Sequence, residues 1–322
     1  MRLRVLSAVL LGLAVTRCAE RPPASPPGAA GRGGPFYDVR DYGAVADGKT
    51  KSTEAIRKAI DAAAEAGGGT VVFPAGQYLT GPIRLKNNLT LLVEAGAVVK
   101  FSPDFGDYLP MVRSQWEGTE VTNFSPLIYA DRVENVAIQG RGVLDGQGEP
   151  WWNQYRTLRA EREKTGVWTT VTPWQNEFFR QNSRLEMPDD PDRLRSGFLR
   201  PPLVQLLDSK NISLRDITLK NSPFWTVNPV NCEGVTVSGV TIVNPPGAPN
   251  TDGINPESCR NVHISDCHID VGDDCMELQD VDTGTPLGVA HAHVVVPLRR
   301  TPLTAVAGGR GHPTQAGQLE RS

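Results

Sequence analysis

One nine-residue phrase recurs along the chain, and repetition at so short a period restricts the fold more than composition does. Asn211-Ile-Ser-Leu-Arg-Asp-Ile-Thr-Leu219 is matched by Gly234-Val-Thr-Val-Ser-Gly-Val-Thr-Ile242 and by Asn261-Val-His-Ile-Ser-Asp-Cys-His-Ile269. Asn135-Val-Ala-Ile-Gln-Gly-Arg-Gly-Val143 is a looser copy. Each copy opens on a polar or glycine turn residue, alternates apolar with polar, kinks, and alternates again. The starts at 211, 234 and 261 lie 23 and 27 residues apart. Alternation gives each strand one buried face, and a unit this short buries that face only by stacking on its neighbours. A third short strand is expected at Trp225–Asn228 and at Cys275–Leu278, the same offset from two of the starts. Three strands per turn predict an all-β fold, a right-handed parallel β-helix, whose coils leave only two end caps unpaired. A β-sandwich is the rival, but its hairpin signals, Asn-Gly or Asp-Gly between strands, do not recur at the right places.

Apolar positions Ile56, Ala59, Ile60 and Ala63 lie at helical spacing, with Ser52 as N-cap and Gly67-Gly68-Gly69 as the stop. This helix is expected to cap the N-terminal end of the solenoid. Residues 153–200 break the rhythm with mixed charges at Arg156, Arg159, Glu161, Arg162, Glu163 and Lys164, followed by Trp168, Trp174, Phe178 and Phe179. A loop insertion of this kind is expected to hang over one face and border a groove. The β-helix domain is read as 36–279. From 280 to 322 the chain is Pro, Gly, Ala, Arg and His without strand periodicity, and an irregular, disordered tail is expected; His291-Ala-His293 is read as carrying no function.

Met1-Arg2-Leu3-Arg4 followed by the apolar run Val5–Val15 has the layout of an export signal over 1–19, and the run is too short to span a bilayer. Val15-Thr16-Arg17-Cys18 resembles a lipid-attachment box, with Arg17 where a small residue is usual, so an anchor at Cys18 is the lesser reading. Residues 20–35 read as a flexible tether. A periplasmic or extracellular location follows. The net charge of −3 offers no basic surface for nucleic acid or acidic lipid. Without a Cys-x-x-Cys pair, Cys232, Cys259, Cys267 and Cys275 read as small buried hydrophobes and not as zinc ligands. No cofactor or metal is expected, and a monomer is.

Two acidic turns sit beside neighbouring coils: Asn250-Thr251-Asp252-Gly253 and Gly272-Asp273-Asp274. Asp252 lies 18 residues after Gly234, while Asp273 and Asp274 lie 12 and 13 after Asn261. Extra turn residues at 244–249 bring the two turns to similar heights, and coils stacked about 4.8 Å apart would gather three carboxylates in one patch. Carboxylates that close repel, so at least one should hold a proton near neutral pH. Such an acid can protonate a glycosidic leaving oxygen while an ionised neighbour activates water. Two other readings stay open on spacing alone: Asx-Gly turns that merely end strands, and a calcium site.

At these residues the sequence resembles the polygalacturonases, glycoside hydrolase family 28, whose signatures include Asn-Thr-Asp and Gly-Asp-Asp on successive coils. Asp145-Gly146-Gln147-Gly148 with Trp151-Trp152, Ser222-Pro223-Phe224-Trp225, and the opening Asp41-Tyr42-Gly43-Ala44 with Asp47-Gly48 are similar to stretches of pectin-active β-helices. The resemblance implies inverting hydrolysis of α-linked galacturonan or rhamnogalacturonan in pectin. Carried over by position, Asp273 would be the general acid, Asp252 and Asp274 would activate water, and Asn250 would contact substrate.

After Cys275 the resemblance stops. The family's Gly-His-Gly and Arg-x-Lys are missing, and a C-terminally truncated or frame-shifted chain with little activity as written is expected. A non-catalytic β-helical carbohydrate-binding protein is the first alternative and a calcium-dependent pectate lyase the second.

Overall fold

The computed structural model of the 322-residue chain describes residues 35–168, 172–184, 194–277 and 291–293. Three parallel sheets wind around one apolar interior as a parallel β-helix, so the expected fold is the observed one. The first sheet has eight strands, from Phe36–Asp38 to His291–His293; the second has seven and the third four. One coil runs Lys210–Arg215, Thr218–Lys220 and Val227–Val230, one strand in each sheet, before Glu233–Ser238 opens the next. The third sheet continues beyond its named strands through bridges from Val227 to Ile254 and from Ile254 to Met276.

The recurring phrase works because its apolar positions fall in register. Val71, Leu91, Ile138, Leu214, Val237 and Ile264 form one ladder in the first sheet. Tyr78, Val99, Leu144, Leu219, Ile242 and Ile269 form another in the second. All twelve are buried. The turn residue that opens each phrase is Asn or Gly because the backbone there is left-handed, with φ 58° at Asn88, 59° at Asn135, 55° at Asn211, 71° at Gly234 and 55° at Asn261. The asparagines also bond to one another along the stack: Asn135 Nδ2 donates to Asn88 Oδ1 at 2.8 Å and Asn211 Nδ2 to Asn135 Oδ1 at 2.6 Å. Ile242→Ala, which opens a cavity between Leu219 and Ile269, is expected to cost about 2–5 kcal/mol in a denaturant titration.

Helix α1 (Thr53–Glu65) packs Ala55, Ile56, Ala59, Ile60 and Ala63 onto the first coil. Ser52 is its N-cap by position only. The hydroxyl accepts instead from the Val45 N–H at 3.0 Å, tying the helix start to the preceding loop. The insertion is not a bare loop. It carries α2 (Glu149–Thr165) and α3 (Pro173–Gln181), rooted by Trp151 in an aromatic cluster with Phe105, Tyr108, Phe124 and Phe198. An antiparallel hairpin, Val112–Trp116 with Thr119–Asn123, also departs from the coil rhythm. The signal and tether readings fall almost wholly outside the described residues, as does most of 280–322. The described stretch there, His291–His293, is a strand paired with Arg260–Ser265, where an irregular segment was expected. Among the described residues no helix is long and apolar enough to cross a membrane.

Candidate active site

Close backbone packing joins the two acidic turns. Gly253, next to Asp252, abuts the following coil so tightly that an added Cβ would lie 2.3 Å from the Cys275 carbonyl oxygen. Gly272 abuts the preceding one, where a Cβ would lie 2.4 Å from the Pro246 carbonyl oxygen. Only glycine permits both approaches. Main-chain bonds then fix the height: Thr226 N–H donates to the Asp252 carbonyl at 2.9 Å, and Gly253 N–H to the Asp274 carbonyl at 2.9 Å. The two turns, 18 residues after Gly234 and 12 to 13 after Asn261, therefore lie side by side on adjacent coils.

Asp252, Asp274 and Glu277 bring carboxylate oxygens within 4.8 Å of one another. Asp252 is 4% exposed, while Asp274 is exposed and Glu277 half-buried. Burial pushes the Asp252 carboxyl up to about 7; Asp273 and Asp274 push the same way, and a 2.8 Å bond from Asn255 Nδ2 opposes them. A raised carboxyl was expected from mutual repulsion. It exists, but its first cause is desolvation. Asp273 is exposed and accepts from the Asp274 N–H at 3.2 Å through Oδ1. The three carboxylates could share a hard cation. Glu277 was not anticipated, since nothing in a sequence tells which residue after a bridge turns back toward the preceding coil.

Asp273 lines a pocket of about 550 Å³ together with Asn250, Arg200, Trp116, Glu117, Tyr155, Arg159, Arg162 and Trp168. One wall is the tip of the hairpin. The other is α2, held down by Trp152 Nε1 on the Ser222 carbonyl at 3.0 Å and by Arg156 on the Gly247 carbonyl at 2.5 Å. The motif stretch around Trp151-Trp152 is thus the root of that wall, and Ser222 is the ledge that it grips.

Arg200 forms the floor and was missed by sequence reasoning. It is 1% exposed, donates to the carbonyls of Pro223 and Pro249 at 3.0 and 2.5 Å and to Asn250 Oδ1 at 2.8 Å, and lies 4.2 Å from the Tyr155 ring centroid. Burial lowers its guanidinium to about 10, still protonated at neutral pH. Asn250, the expected substrate contact, lines the pocket but lends its amide oxygen to Arg200; its φ of 51° suits an asparagine. Cys232, Cys259 and Cys267 are buried and unpaired, with Cys259 Sγ accepting from the Cys232 N–H at 3.3 Å.

The model of the family "Glycosyl hydrolases family 28" matches residues 193–290, and that of "Rhamnogalacturonase A/epimerase, pectate lyase-like" matches 36–157. A probable polygalacturonase of Vitis vinifera is 32% identical over 248 residues, 74% of this chain and 43% of that protein. The crystal structure of a hyperthermoactive exopolygalacturonase from Thermotoga maritima superposes with a TM-score of 0.63 at 36% identity, over 76% of this chain and 54% of the other. A family 28 exopolygalacturonase of Yersinia enterocolitica gives 0.57 at 28% identity, over 76% and 44%. The chain spans about half the length, or less, of these relatives.

Proposed function

We propose that the acidic pocket of this chain, whose residues 193–290 match the model of glycosyl hydrolases family 28, hydrolyses α-linked galacturonan or rhamnogalacturonan with inversion. Asp273 is the general acid in this reading, and Asp252 and Asp274 share the water that attacks the anomeric carbon. The observation that carries it is the meeting of Asp252 and Asp274 from adjacent coils beside a pocket that Asp273 lines. The raised carboxyl of Asp252 argues the other way, for Asp252 as the acid. Reach supports Asp273: an acid must touch the leaving oxygen, and Asp273 is exposed at the pocket while Asp252 is buried and engaged by Asn255.

The lining supports a carboxylated sugar. Arg159, Arg162 and Arg200 bring cationic groups, and Trp116, Tyr155 and Trp168 bring rings that suit pyranose faces. Walls on two sides, with the likeness to the Thermotoga and Yersinia exopolygalacturonases, favour removal of terminal residues over random internal cleavage. The protein is read as an exported monomer.

The decisive experiment follows polygalacturonate with the 322-residue protein by proton NMR. The first product should be the β-anomer, chiefly monomer, and a chelator should change the rate by less than about twofold. A calcium-dependent product absorbing in the ultraviolet would instead establish the lyase, which the cation-sized spacing of Asp252, Asp274 and Glu277 keeps in play. Binding without any turnover would establish the carbohydrate-binding alternative.

A further inference from the structure

Beneath the hairpin wall lies a buried carboxylate that the mechanism does not use. Glu257 is fully buried and sits five residues after Asp252 on the same segment. Its Oε1 accepts from Asn228 Nδ2 at 2.7 Å; its Oε2 accepts from Gln115 Nε2 at 2.9 Å and from the Gly118 N–H at 3.1 Å. Gln115 and Gly118 flank Trp116 and Glu117, the two hairpin residues that line the pocket. The tip needs a restraint. Both of its turn residues are left-handed, with φ 45° at Glu117 and 84° at Gly118, and a glutamate in that region is strained where Asn, Asp or Gly would not be. Below the tip, Ser114 Oγ donates to Gln205 Oε1 at 2.6 Å, and Gln205 Nε2 donates to the Gln115 carbonyl at 2.9 Å and to Asn228 Oδ1 at 2.7 Å. Trp116 stacks on Phe224 at 3.9 Å. All three donors on Glu257 need an acceptor, and only a carboxylate offers one at each oxygen.

We propose that Glu257 is a positioning residue whose carboxylate clamps the hairpin tip to the coil bearing Asp252, so that Trp116 and Glu117 form a fixed wall against which the sugar chain binds. The inference rests on the uronan reading of the pocket. Glu257→Gln sets an amide donor against a donor, either Asn228 Nδ2 or the two tip donors, and removes the charge that the tip donors bind, which loosens the tip. Asp252 keeps its own bond from the Asn255 side chain and the main-chain bonds beside it; Glu257 reaches Asn255 only through Asn228 Nδ2, which also donates to the Asn255 carbonyl at 2.9 Å, so the chemistry is left in place.

The test uses Glu257→Gln and Gln115→Ala in the 322-residue protein, with trigalacturonate as the probe. Both variants should bind it about 10- to 100-fold more weakly by calorimetry and show KM raised to match with kcat within about twofold, since a bond to a charged acceptor carries an effect of that order. Hydrogen exchange in 112–123 should quicken at least fivefold in each. Gln115→Ala removes a half-exposed donor and keeps the test open if Glu257→Gln does not fold. Unchanged hairpin exchange overturns the clamp; faster exchange with unchanged binding, or a loss confined to kcat, overturns its role in holding sugar. Wild-type protein that binds no trigalacturonate overturns the uronan reading and the sugar-facing role with it, while hairpin exchange still reports on the clamp.

Discussion

Asp273→Asn is expected to lower the initial rate on polygalacturonate by about 10²–10⁴-fold, the range for removing a general acid. Trigalacturonate binding and the melting temperature should change little. The substitution keeps the side chain's size, and the amide oxygen can still accept from the Asp274 N–H that Asp273 Oδ1 takes at 3.2 Å. It removes the transferable proton. Asp273 also contributes to raising the Asp252 carboxyl, so that carboxyl should fall from about 7 in the variant. Rates measured against wild type, with calorimetric binding alongside, separate the roles. A variant that keeps more than about a tenth of the wild-type rate would move the acid function to Asp252, whose carboxyl burial raises to about 7.

The solenoid was legible because its rule is local. Alternation at period two and an Asn or Gly at each left-handed corner are written within nine residues, and stacking repeats them. The two acidic turns were legible for the same reason, their glycines being what lets neighbouring coils touch. What departs from the rhythm was harder to read. Helix α2 shows few apolar positions, and Trp151, Trp152 and Leu158 form no continuous stripe, so its helicity comes from what it packs on. Helix α3 did carry a signal: Thr172 and Gln175 form a reciprocal capping box around Pro173 at the first turn. The hairpin turns on Glu117-Gly118, a pair outside the usual Asn-Gly and Asp-Gly set. Arg200, Glu257 and Glu277 matter through partners tens of residues away or through burial, and neither quantity has a local signature.

Asp252→Asn should abolish most turnover and yet stabilise the protein, more strongly as pH rises. A neutral amide cannot take a proton from water, so a loss of at least about 10²-fold is expected. The stability effect follows from the raised carboxyl. In the unfolded chain Asp252 titrates near 3.8 and in the native protein near 7, because folding buries it beside Asp273 and Asp274. Below about pH 4 both states are protonated and the group is neutral to stability in either form. Between pH 4 and 7 the native state holds a proton that the unfolded state has released, so its contribution falls steadily as pH rises; above 7 both are ionised and the full burial penalty stands. Each pH unit of that window is worth about 1.4 kcal/mol, which gives roughly 2–4 kcal/mol once relaxation around the charge is allowed for. Asparagine escapes the penalty and can turn its oxygen to the Asn255 Nδ2 that Asp252 Oδ2 now accepts at 2.8 Å. Denaturant titrations of both proteins at pH 4 and pH 8 decide the matter. The variant should match wild type at pH 4 and exceed it by a few kcal/mol at pH 8. Equal differences at the two pH values would mean that the Asp252 carboxyl is ionised throughout, and the electrostatic account of this turn would have to be replaced.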